Sequence, residues 1–61
     1  MSKKYVGYTD KNNQMIYDGD LVQVGDSKEV YMVCLTYTKE VLLVNHIKTI
    51  EMYKADEIEK I

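Results

Sequence analysis

An all-β fold, a small closed barrel of about five short antiparallel strands with one helical turn near the C-terminus, is predicted by three features of this sequence. Turn signals recur every few residues: Asn12-Asn13, Asp18-Gly19-Asp20, Gly25-Asp26-Ser27-Lys28 and Thr38-Lys39-Glu40. The segments between them are short and rich in Val, Ile, Tyr and Thr, the residues that suit a pleated surface. Several short strands punctuated this way suggest a barrel, which removes the exposed edges an open sheet would carry.

Each element has its own justification. Tyr5 to Thr9 is a strand candidate with Gly7 at a bulge position. Asn12 and Asn13 tolerate the positive φ that a type I′ hairpin turn requires, and Met15 to Tyr17 is the returning strand. Asp18-Gly19-Asp20 turns the chain again, with Gly19 at the position most in need of positive φ. Leu21 to Val24 begins a stronger strand, and Val30 to Thr38 is the longest. Val41 to Asn45 follows, then Ile47 to Tyr53, where Ile50 and Met52 alternate with Thr49 and Glu51 and leave one wet face. The tail supports two readings. Met52, Ala55, Ile58 and Ile61 recur every three residues, as in a helix. A helical turn at Ala55-Asp56-Glu57 before a closing strand, Ile58 to Ile61, is preferred because a barrel must be closed.

Sixty-one residues make a single domain, residues 1–61, with a thin stability margin. Cys34 is the lone cysteine, so no internal disulfide supports the fold, and a lone thiol fits a reducing, cytoplasmic setting. No apolar run approaches the roughly 18 residues of a membrane span, and Met-Ser-Lys-Lys-Tyr is not followed by the apolar segment of a signal peptide. The formal net charge is −2, with eight lysines and no arginine. Arginine supplies the fork that reads guanine and clamps phosphate, so sequence-specific DNA binding is disfavoured.

One pattern departs from an ordinary half-buried strand. Val30 to Tyr37 is apolar on both faces: Tyr31, Val33, Leu35 and Tyr37 on one, Val30, Met32 and Cys34 on the other. Val41 to Val44 is apolar on both faces too. Either the second face is covered by the first hairpin or the tail, or it buries against a partner or another copy. Val33 and Leu43 are the candidate self-association residues, with a dimer favoured. Tyr31, Tyr37, Tyr53 and Glu51 are the candidate partner contacts, since tyrosine joins a large ring to a hydroxyl that wants a polar neighbour. The acidic end, Glu51 to Glu59, is a solvated face or a contact for a basic partner.

The run Asp10-Lys11-Asn12-Asn13, then Ile16-Tyr17-Asp18-Gly19-Asp20-Leu21-Val22, resembles the opening signature of the YopX-type family of phage and prophage proteins. Asn13 stands where the family's glycine is usual. The resemblance covers about the first third of the chain. It implies an SH3-like barrel encoded by a phage, and it brings no catalytic residue. The motif residues Asn12, Asn13, Asp18, Gly19 and Asp20 read as turn architecture, with the two aspartates capping nearby amides.

Other chemistry finds little footing. Counted from Asp10, a calcium loop would need glycine and glutamate where Met15 and Leu21 stand. Cys34 lies in the most apolar strand, and His46 has no orienting carboxylate in the sequence around it. No glycine-rich phosphate loop occurs. No metal or cofactor is expected, and an enzyme is the least expected class. The leading expectation is a non-catalytic phage accessory protein that binds, and inhibits or modulates, a host protein. The alternatives are an oligomer that sequesters a small ligand such as a nucleotide, and a weak nucleic-acid-binding barrel.

Overall fold

The computed structural model describes residues 3–25, 29–55 and 57–61. Seven strands follow one another among them. They are β1 (Tyr5–Thr9), β2 (Met15–Tyr17), β3 (Leu21–Val24), β4 (Glu29–Leu35), β5 (Val41–Val44), β6 (Thr49–Glu51) and β7 (Ile58–Lys60). A 3₁₀ turn, Met52–Lys54, joins β6 to the approach of β7. The sequence-predicted turn Gly25-Asp26-Ser27-Lys28 falls largely on residues 26–28, outside those described.

The strands form two sheets. β1 and β2 make an antiparallel hairpin, and the other five form an antiparallel sheet in the order β6-β5-β4-β3-β7. The fold is all-β, but the expected SH3-like closed barrel is not formed. β6 and β7 lie at opposite margins of the sheet, and the hairpin remains a sheet of its own.

The β7 edge shows why closure is not needed. Its outward carbonyl at Ile58 accepts the Lys11 N–H at 2.8 Å, and its outward N–H at Lys60 donates to the Asp10 carboxylate at 3.0 Å. A turn thus satisfies the groups that another strand would have paired. The helical turn also lies three residues before its expected place. Of the predicted Ala55-Asp56-Glu57, Asp56 is outside the described residues, and Ala55 only caps the 3₁₀ turn by donating its N–H to the Met52 carbonyl.

The hairpin lies over one face of the larger sheet. Val6 and Ile16 point down from it and meet Val22, Tyr31, Val33, Leu43, Met52 and Ile58 in one buried cluster. Val24, Leu35, Val41, Ile50 and Ala55 pack around its margin. Burying each large apolar side chain contributes roughly 1.5–3 kcal/mol, so eight buried residues are the main store of stability in so short a chain. β1 reaches this position by bending. Its register slips between Tyr5 and Thr9, and Gly7 sits inside the slip at φ 91°. Only a residue without Cβ takes that backbone freely.

Candidate functional site

Three aspartates of the opening motif fasten the hairpin to the sheet. Asp10 Oδ1 accepts the amides of Asn12 and Gln14 at 2.9 and 2.8 Å, while Oδ2 accepts that of Lys60, fifty residues away. Asp20 Oδ2 accepts the Tyr17 amide at 2.8 Å and lies 3.3 Å from the Lys60 ammonium, and Oδ1 lies 3.1 Å from that of Lys3. Asp18 Oδ1 accepts the Leu35 amide at 3.0 Å, so it caps β4 across the fold rather than a local amide. Two further bonds stitch the same turn to β4: Gly19 N–H to the Val33 carbonyl, and Val33 N–H to the Asp20 carbonyl.

Asp10 and Asp20 are buried, yet both carboxyls titrate below the ordinary range. The Lys60 amide bond is the largest cause at Asp10. At Asp20, burial pushes upward, but the Tyr17 amide and the two lysine ammonium groups together outweigh it. These carboxylate oxygens are engaged by amide and ammonium donors. No group of three or more His, Cys, Asp or Glu placed to hold a metal occurs among the described residues.

The turn residues fall nearly as expected. Gly19 has φ 92° and Asn13 φ 63°, but Asn12 does not take a positive φ, so the hairpin turn is not type I′. Asn13 donates its N–H to the Asp10 carbonyl at 3.0 Å, and Asp10 donates to the Gln14 carbonyl at 2.9 Å. Only the residue after the turn's centre is left-handed, the position that Gly or Asn fills most readily.

The candidate contact residues divide. Tyr31 is 2% exposed and belongs to the core, so its ring is not a surface group. Val33 and Leu43 face each other across β4 and β5 with no exposure, which makes them core rather than a self-association surface. Tyr37, at the tip of the β4–β5 turn, is 97% exposed. Tyr53 and Glu51 are brought together, and the Glu51 carboxylate beside the phenol holds it above its usual pKa.

With Tyr8, Tyr53 and Glu51 line a cleft of about 250 Å³ between β1 and the ends of β5 and β6. Val6 and Val41 give it an apolar floor, and Leu42, Lys39 and Glu40 complete the lining. A neighbouring depression shares Tyr8 and Tyr53 and runs on past Asp10, Lys11 and Ile58. Tyr8 and Glu40 were not singled out in the sequence, because nothing local signals that β1 lies beside the β5 end.

The second surface is the outer face of the five-stranded sheet. Leu21, Val30 and Met32 are 50, 42 and 45% exposed, Leu21 stands directly opposite Met32, and Met32 stands opposite Val44. Cys34 and Leu42, paired across β4 and β5, extend the stripe as half-buried residues. Strand alternation puts Glu51 on the β6 margin of this face and Glu59 on the β7 margin.

Cys34 and His46 do not meet. His46 is exposed in the β5–β6 turn, beside Asn45, whose amide lies 3.5 Å from the Val30 carbonyl. Val30 and Cys34 are four residues apart on one strand, or roughly 13 Å at ~3.3 Å per residue. Among the described residues no helix is long and apolar enough to cross a membrane. Compared with known proteins, the chain matches no family model, no curated protein and no solved structure.

Proposed function

We propose that this chain is a non-catalytic binding module that docks an apolar protein surface on the outer face of its sheet. The observation that carries this is the apolar stripe Leu21–Met32–Val44, laid in register across three neighbouring strands with its first two members half exposed. Contiguous exposed apolar area of this kind marks interaction surfaces. Isolated exposed residues do not, and Tyr37 is one such residue.

The margins speak to the kind of partner. Glu51 and Glu59 flank the stripe on opposite sides, and the lysines that meet them, Lys54 at 3.5 Å and Lys11 at 3.6 Å, form exposed pairs worth little. A partner protein with an apolar patch and a basic margin complements these two carboxylates. The resemblance of about residues 5–22 to a phage family extends the proposal to a host protein as that partner, held in an inhibitory or modulating complex.

The test is capture of binding proteins from host lysate at low and high salt by the tagged chain, compared with Leu21→Thr/Met32→Thr and Tyr37→Ser variants. The proposal expects one stoichiometric protein, retained in high salt by the parent and Tyr37→Ser and lost by the double variant. Capture that the double variant retains contradicts it. An eluate holding only oligomers of the chain replaces it with self-assembly.

A further inference from the structure

The Tyr8–Tyr53 cleft has a chemistry that apolar docking does not use. Two tyrosines line it, and tyrosine ring faces attract cations. Two carboxylates, Glu40 and Glu51, stand in the same lining, with Lys39 as the one basic member. Both carboxylates act on Tyr53, since each opposes ionisation of its phenol. The floor of Val6 and Val41 is apolar. A cleft of about 250 Å³ falls below the roughly 300–1,000 Å³ of ordinary small-molecule sites. It suits one side chain better than a nucleotide.

The chain's own Lys54 displays the attraction. Its ammonium lies 5.6 Å from the Tyr53 ring centroid and 3.5 Å from Glu51, although the side chain is exposed and has water as an alternative. Lys54 is not part of the cleft lining and approaches from outside it.

We propose that the Tyr8–Tyr53 cleft is a receptor for one organic cation, the ammonium or methylated ammonium end of a lysine side chain presented by another protein. The aliphatic stem lies on Val6 and Val41, and the charged end sits between the rings and the two carboxylates. Lys54 competes for the Glu51–Tyr53 pair and tempers the affinity. The cleft shares Glu51 with the margin of the outer sheet face, but a small probe can enter it without any partner on that face.

The test is an NMR titration of the full chain with three probes: N-acetyl-lysine methylamide, its trimethylammonium form, and the uncharged norleucine analogue. Saturable shifts at Tyr8, Glu40, Glu51 and Tyr53 are expected with both cations and not with norleucine. Tyr53→Leu, at an exposed position, should weaken binding about 2- to 30-fold, the range of a single cation–ring contact. Lys54→Met should tighten it about 2-fold or more by removing the competitor. An equal response to norleucine, no saturable response to either cation, or unchanged affinity in both variants overturns the proposal.

Discussion

The two faces of the five-stranded sheet are built from the same kinds of residue and end in opposite circumstances. On the inner face, Val22, Tyr31, Val33 and Leu43 are sealed beneath the β1–β2 hairpin. On the outer face, Leu21, Val30 and Met32 are half exposed. Tyr31 and Met32 are consecutive in the chain, and only strand alternation separates a core ring from a surface thioether. Apolar character therefore does not decide burial here. The hairpin covers one face, and three aspartates tie it down there.

The widest contrast between the faces comes from truncating each. Leu43→Ala removes a fully buried side chain and should cost ~2–5 kcal/mol in urea unfolding, much of the margin of so small a domain. Leu21→Thr and Met32→Thr, on the outer face, should each fall within about 0.5–1 kcal/mol of the parent. Equal losses on the two faces would break the comparison.

The second way to break it is to loosen the hairpin without touching an apolar residue. In Asp10→Asn the Lys60 N–H, which now donates to Oδ2, would face an amide NH₂ if Oδ1 keeps its two turn bonds. Calorimetry should show Tm lowered by about 10 °C or more. An unchanged Tm would mean that the apolar cluster alone holds the hairpin.

Acid should act on the same fastening. Asp10 and Asp20 have folded pKa values below their unfolded ones. The unfolded chain then binds more protons in acid, so the stability they contribute is complete above the unfolded value of about 4 and is lost as pH falls through the lower folded values. Urea midpoints should be flat from about pH 5 to 7 and fall below about pH 4. Asp20→Asn should flatten that fall. A midpoint that instead rises on acidification would show that these carboxylates are not stabilising as anions.

The smallest effect belongs to the turn. Asn13 sits at φ 63°, and Asn13→Ala should cost about 1 kcal/mol, the ordinary penalty of a left-handed alanine. A neutral result would indicate that the hairpin turn relaxes into another type.

Some of this was legible in the residues. Alternation and turn chemistry placed the strands, and the need for positive φ picked out Gly19 and Asn13. The apolar character of both faces of Val30 to Tyr37 was visible as well, but two equally apolar faces carry no label saying which will be covered. Tyr31, Val33 and Leu43 were expected at contacts for that reason and lie in the core. Barrel closure was inferred from the need to satisfy edge strands, whereas the Asp10 turn meets the β7 edge by a bond spanning fifty residues, which no local pattern encodes. Within the cleft, Tyr53 and Glu51 were recognisable by type. Tyr8 joins them only through the tertiary placement of β1 beside the β5 end, so the site was half visible.

The most direct measurement is urea unfolding of Tyr31→Asp beside Met32→Asp, the same charge placed on adjacent residues of opposite faces. The account predicts no cooperative transition for Tyr31→Asp, whose carboxylate would be buried without a partner, and a folded Met32→Asp within about 1 kcal/mol of the parent. If Met32→Asp is also unfolded, the outer face is packed within the chain and the division between the faces is wrong.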